Sequence, residues 1–239
     1  MIEQGKSDID PEELGKFEAL GDVWWSRRGG MRALREITPA RAGYVASRVE
    51  LKEQRVVDVG CGGGILAEAL AVKGAGVTGI DPGAKAIRAA RLHSRESGLS
   101  ISYEQTSAGP FAAAYQGCFD VAVCMELLEH VPDPSGIVRA CAMLARPGGD
   151  VFFATLNRTF LSRLLAVILA EYCLGLVARG THDFKKFVKP EELAAWAREA
   201  GLDVLDVSGL LYLPWVRFSR IIPLTGVNYL MHCRRPVSQ

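Results

Sequence analysis

The chain lacks any CxxC pair or zinc-finger spacing among its six cysteines, at 61, 118, 124, 141, 173 and 233. That removes the structural zinc modules. Several of these cysteines lie in apolar runs, where the residue behaves as a small buried hydrophobe, so a reducing compartment is expected. The chain also lacks an excess of charge of either sign, with 28 lysines and arginines against 27 acids. The net charge of +1 gives no global attraction to nucleic acid, so no nucleic-acid partner is expected and any electrostatic partner must be met by a local patch. Internal repeats and low-complexity linkers are missing too. No apolar run reaches the roughly 20 uninterrupted residues of a membrane span. The greasiest stretch, "FLSRLLAVILAEYCLGLVA" at 160–178, is broken by Arg163 and Glu171. The opening "MIEQGKSDIDPEELGKF" is polar and acidic, unlike a secretory signal or a transit peptide, which points to the cytoplasm.

What is present is a rhythm. Asp10-Pro11-Glu12-Glu13 reads as an N-cap, a proline at the first helical position and acids in the first turn, predicting a helix to about Ala19. A second helix is expected over Ala40–Val49, led by Thr38-Pro39. From residue 55 strands and helices alternate: "RVVDVG", "GILAEALAVKGA", "GVTGID", "AKAIRAARLHSRESG", "ISYEQTS", a helix near 109–116, then "FDVAVCM". "DPSGIVRACAMLA" follows as a helix capped by Asp133 and closed by the turn "RPGG", then the strand "DVFFATL". Repeated βα units imply a mainly parallel sheet covered on both faces. After an interruption at 158–187 come a helix, "KPEELAAWAREAG", and two strands, "LDVLDVSGLLY" and "VNYLMHCRR".

The run "VVDVGCGGGILAEAL" (56–70) carries four glycines where a strand gives way to a helix. No lysine follows them, so it is not a phosphate-binding P-loop. A dinucleotide fingerprint needs a third glycine where Ile65 stands, which disfavours a nicotinamide oxidoreductase. What remains is V-D-V-G-x-G-x-G, with Asp58 before the turn and Asp81 twenty-one residues beyond Gly60 at the end of the next strand. That is the spacing of an acid that accepts ribose hydroxyls, and Gly60, Gly62 and Gly64 let the backbone approach an adenosine-type ligand and its amino-acid tail. Beyond the fourth strand, "Glu126-Leu127-Leu128-Glu129-His130" sets two carboxylates three apart with an imidazole beside the second. The group suits a hard divalent cation, or His130 as a base among acids, or two solvated loop acids with His130 capping the next helix.

The pattern resembles the class I S-adenosylmethionine-dependent methyltransferases, and within them the ubiquinone-biosynthesis O-methyltransferase family. "FEALGDVWW", "ITPARAGYV", "CMELLEHVPDP", "VRACAMLARPGGDVFFATLNR", "GTHDFKKFVKPEEL" and "VNYLMH" carry the likeness across residues 17–232. The resemblance implies a Rossmann-like α/β fold: a mainly parallel seven-stranded sheet, helices on both faces and an antiparallel last strand. It implies an N-terminal helical cap at 1–50 and a methyltransferase domain at 51–239, with a helical insertion at about 158–187. S-adenosyl-L-methionine is the implied cofactor, held by Arg41, Gly60, Asp81 and Met125. The implied catalytic residues are His130, Glu126 and Glu129, and eukaryotic members use Glu126, Glu129 and His130 for Mg2+ or another divalent cation. One departure stands out: Gln105-Thr106-Ser107-Ala108 offers no acid to the adenine amino group.

The implied substrates are polyprenylated phenols or quinols of ubiquinone synthesis, methylated at both O-methylation steps. Alternatives are a methyltransferase for another small hydrophobic phenol and a non-catalytic S-adenosylmethionine-binding scaffold. In the insertion Leu161, Leu164, Leu165, Ile168, Leu169, Tyr172 and Leu176 recur at helical spacing, flanked by Arg158, Arg163, Arg179, Lys185 and Lys186. Such a stripe suits either a helix lying on an anionic membrane or an ordinary core helix. The first reading makes the protein peripheral at the inner face of the cytoplasmic membrane, beside other ubiquinone-biosynthesis proteins. Asn157, His182 and Lys186 border the insertion, which is expected to lid the substrate.

Overall fold

The computed structural model describes residues 10–19, 24–26, 31–162 and 184–237. Most of the insertion expected at about 158–187, with its apolar stripe, lies outside the described residues. Among those described, no helix is long and apolar enough to cross a membrane.

A single eight-stranded sheet runs in the order β3-β2-β1-β4-β5-β8-β6-β7. Its parallel half comprises β1 (Arg55–Val59), β2 (Gly76–Asp81), β3 (Ser102–Gln105), β4 (Phe119–Met125) and β5 (Ala145–Leu156). β8 (Asn228–Arg234) lies antiparallel between β5 and β6 (Asp203–Leu213). The Rossmann-like expectation holds with one strand added. β7 (Phe218–Ile222) pairs antiparallel with β6 as a hairpin at the sheet edge, giving eight strands in place of seven.

Helices cover both faces. One core packs Phe111, Ile137, Val138 and Leu193 against Val57, Ala122 and Phe153. These side chains come from α5 (Ala108–Ala114), α6 (Pro134–Leu144) and α7 (Pro190–Glu199). The other packs Tyr44, Val45, Leu70 and Ile87 against Val56, Val123 and Phe152. Its helices are α2 (Arg32–Ala46), α3 (Ile65–Ala71) and α4 (Ala84–Glu96). Strand β4 is buried on both faces from Val121 to Met125, as the apolar run beyond Asp120 demands.

Local signals explain most boundaries. Asp10 Oδ1 accepts from the backbone of Glu12 at 3.0 Å and caps α1 (Pro11–Ala19). Asp133 does the same for α6 through Gly136 N–H at 3.0 Å, with Pro134 at the first turn. The expectation of a helix starting at Ala40 is corrected: α2 begins at Arg32 and carries Pro39 inside. Proline there removes one backbone donor. Burial of Ile37, Tyr44 and Val45 on the same helix outweighs that loss, and Thr38 Oγ1 donates back to Leu34 O at 2.7 Å. The "RPGG" turn is absorbed into the start of β5 as a bulge, since pairing with β4 jumps from Phe119–Ala145 to Val121–Asp150.

Candidate active site

Strand order reverses between β1 and β4, and in open α/β sheets ligands settle beyond the carboxyl ends of the strands at that point. A cavity of about 560 Å³ opens there. Its wall brings together Arg41, Asp58, Gly60, Gly62, Asp81, Met125, Glu126 and His130, eight residues from α2 and the ends of β1, β2 and β4. Thr106, Ser107 and Ala108 line it too, after β3.

The glycine loop is shaped for close approach. Gly60 sits at φ 76°, a left-handed conformation, and a Cβ there would lie 2.8 Å from the Leu127 side chain beyond β4. Gly62, at φ 51°, is covered by the Trp24 ring, which is buried over the loop. Trp25 anchors the same segment by donating from its indole to Gly63 O at 2.8 Å, and it stacks on His93 with centroids 3.4 Å apart. Trp24 and Trp25, which end the quoted run, therefore clamp the loop. Asp81 accepts from Gly62 N–H at 3.0 Å and Gly83 N–H at 2.7 Å, which fixes its carboxylate at the end of β2.

Asp58 lies beneath the loop, 2% exposed, with Oδ2 lacking any hydrogen-bond partner. Burial first, and then the neighbouring Asp81 charge, push its carboxyl up to about 7. Arg41 is equally buried. One of its terminal nitrogens pairs with Glu126, while its Nε has no partner. Glu126 holds a backbone φ of 60°, unusual outside glycine, and strain of that kind gathers at functional sites.

Residues 27–207 match a family described as a methyltransferase domain. A ubiquinone biosynthesis O-methyltransferase of Thiobacillus denitrificans is 53% identical over 229 residues, covering 96% of this chain and 99% of its own length. One from Pseudomonas aeruginosa is 48% identical over the same shares. The chain belongs to the ubiquinone biosynthesis O-methyltransferase family.

Membership makes the chain an S-adenosylmethionine-dependent methyltransferase, and solved structures agree in fold. An S-adenosylmethionine-dependent methyltransferase of Thermotoga maritima superposes with a TM-score of 0.66 at 19% identity, covering 93% of this chain and 99% of that one. Magnesium protoporphyrin IX methyltransferase of Synechocystis, solved with bound S-adenosylhomocysteine, gives 0.63 at 16%, covering 94% of this chain and 93% of that one. At such identities the likeness concerns the fold alone.

The family's cofactor fits the residues present. The glycine cradle, the fixed Asp81 carboxylate, the orphaned Asp58 Oδ2 and the unpartnered Arg41 Nε are what a nucleoside with an amino-acid tail requires. A cation does not fit as expected. Glu126 is taken by Arg41, and Glu129 lies outside the cavity wall, 2% exposed, accepting from Thr155 Oγ1 at 2.8 Å. His130 gives its Nδ1 to Glu13 Oε2 at 3.1 Å. Among the described residues no group of three or more His, Cys, Asp or Glu is arranged to hold a metal ion. Glu126, Glu129 and His130, adjacent in sequence, thus face three different partners among the described residues.

Glu129 is a buried carboxyl raised by desolvation first and then by the Glu126 charge, so it is no solvated loop acid. His130 is also buried; desolvation works against its charged form, yet Glu13 and Glu129 outweigh it and raise the imidazole. Glu13 and Trp24 also line the wall, and sequence reasoning gave neither a role at the site. Asn157, at the border of the insertion, donates to Thr225 O at 2.8 Å and acts as a brace.

Proposed function

We propose that the enzyme methylates phenolic hydroxyls of polyprenylated ubiquinone precursors at both O-methylation steps, with His130 as the general base and no metal ion in the step. The supporting observation is the cavity at the β1/β4 switch point, with the glycine loop, Asp58 and Asp81 in its wall together with His130.

Bound S-adenosylmethionine supplies an electrophilic methyl group on a sulfonium sulfur. Asp81 receives the ribose hydroxyls, the backbone at Gly60 and Gly62 admits the amino-acid tail, and Met125 borders the adenosine. Arg41 Nε meets the tail carboxylate and Asp58 its ammonium. Leu34, Ile37, Val131, Leu156 and Leu210 make the remaining wall apolar. An apolar wall favours the reaction, because an anionic oxygen meeting a cationic sulfonium loses charge on the way to products. His130 takes the phenol proton as the oxygen attacks in line. Residues 1–50 serve as a cap on the methyltransferase domain at 51–239.

The polyprenyl tail leaves through the apolar rim, and the enzyme works as a peripheral protein at the anionic inner face of the cytoplasmic membrane, beside other ubiquinone-biosynthesis proteins. Exposed Phe160, Leu161, Trp215, Val216 and Leu224 support that placement, with exposed Arg217 and Arg220 beside them.

Labelled-methyl transfer to a demethylated ubiquinol and to a polyprenyl hydroxyphenol tests the reading. Both substrates should accept label, in the presence of excess chelator. His130→Gln should lower kcat by about 100-fold or more, with S-adenosylhomocysteine affinity retained. Activity that vanished with chelation and returned with Mg2+ would restore the metal to the mechanism.

A further inference from the structure

The cavity has an apolar end as well as a cofactor end. Leu156, Leu161, Leu210, Leu224 and Val227 line the wall around the ends of β5, β8 and β6, and Asn228 stands among them. Asn228 is the first residue of β8 and pairs with Leu156, the last of β5, so it lies on the ligand edge of the sheet. Four strand spacings, roughly 19 Å, separate β8 from β2, which sets Asn228 well away from Asp81 and on the substrate side of the wall. The chain leading into it is pinned. Asn157 N–H donates to Val227 O at 2.8 Å, Asn157 Nδ2 to Thr225 O at 2.8 Å and Thr159 Oγ1 to Gly226 O at 2.5 Å. The Asn228 side chain is not: its Oδ1 is buried and has no hydrogen-bond partner among the described residues. An unpaired buried carbonyl costs free energy, so its place in an apolar wall calls for a ligand that pairs it.

We propose that Asn228 reads the ring oxygen next to the reacting hydroxyl and thereby selects catechol-type head groups, an inference that rests on the substrate being such a phenol. An amide carries an acceptor and a donor side by side, exchanged by a half turn about its terminal torsion. Oδ1 accepts from a neighbouring hydroxyl, and Nδ2 donates to a neighbouring ether oxygen, so one side chain serves the ring before and after its first methylation. A carboxylate would serve the hydroxyl alone and would bring a charge into an apolar wall. An apolar residue would treat a lone phenol and a catechol alike. The surrounding leucines exclude water, so a ring without the second oxygen leaves the amide unpaired. A site built to hydrogen-bond penalises that loss far more than an apolar pocket penalises a missing methylene. Asn228 touches the substrate but neither gives nor takes a proton.

The test compares the full-length wild type with Asn228→Leu on a short-tailed catechol and on the monophenol that lacks its second oxygen. For each, kcat/KM and S-adenosylhomocysteine affinity are measured. In Asn228→Leu the catechol should lose about 10- to 100-fold in kcat/KM, while the monophenol and the product affinity stay within about twofold. Equal losses for both phenols, the mark of a structural role, or an unchanged preference for the catechol would overturn the proposal. A loss confined to S-adenosylhomocysteine affinity would place Asn228 at the cofactor and overturn it too. Should the branched side chain not be accommodated, Asn228→Ala carries the same comparison. A wild type that methylated neither phenol, nor either polyprenyl substrate, would instead strike the phenol reading itself, and this role with it.

Discussion

Asp58 shows what one buried carboxyl does to the whole protein's response to pH. Its ordinary value is about 4, and burial plus Asp81 carry it to about 7 in the folded chain. The unfolded chain therefore releases this proton first. The stability this group contributes is full below about pH 4 and is lost as pH rises through about 7. Thermal melts of the ligand-free protein should fall between about pH 5 and pH 8, and Asp58→Asn should flatten that slope. An ammonium beside Asp58 favours its ionised form, so S-adenosylhomocysteine binding should expel a proton. Titration calorimetry near pH 6 in buffers of different ionisation enthalpy checks this, and identical heats would count against the ammonium's placement. The acids of the loop are legible in the sequence because strand, turn and spacing are local. Arg41, Gly60, Gly62, Asp81 and Met125 all line the same cavity. Glu13 is not legible, since its partner stands 117 positions away and nothing near Glu13 marks it apart from Glu12.

At the scale of elements, the helix caps were readable and the interruptions were not. Asp133 before Pro134 announces α6, and its side chain makes the expected bond to Gly136 N–H. Asp133→Ala should therefore cost about 1 kcal/mol and lower Tm by about 2–4 °C, with the cofactor loop untouched. A larger drop would mean that the ion pair with Arg139, 3.1 Å away, contributes more than a half-exposed contact ordinarily does. The carboxylates and imidazole of "ELLEH" are not brought to one point, for a related reason. Adjacency in sequence says nothing of direction here, where Glu126 leaves β4 at positive φ and Leu128–His130 then wind as a short 3-10 turn. Pro39 misled because a proline at a helix start and a proline tolerated inside a buried helix look alike until packing is known. β7 escaped because its residues follow no apolar alternation, and only its pairing from Leu213–Phe218 to Gly209–Ile222 defines it.

For the whole molecule, the near-zero net charge leaves adsorption to the geometry of one rim. The β6–β7 hairpin carries Trp215 at 70% exposure and Val216 at 62%, and Leu224 at 75% and Phe160 at 79% stand exposed as well. Trp215, Leu224 and Leu161 also line the cavity, so the apolar surface is continuous with the way in for substrate. A tail held in lipid and a head group held near His130 both become reachable if this rim rests on the bilayer. Arg220 adds a cation on the same hairpin, worth about 1 kcal/mol near an anionic surface and screened within a Debye length, while Arg217 is paired with Glu36 at 3.5 Å. The protein should therefore sediment with anionic vesicles, far less with neutral ones, and come off as salt rises. Val216→Asp puts a carboxylate at the hairpin tip, outside the cavity wall. It should weaken vesicle binding several-fold while leaving turnover of a short-tailed, water-soluble phenol unchanged. Equal recovery in the supernatant with both vesicle types would detach the rim from any lipid surface and leave the hairpin as a plain wall of the substrate site.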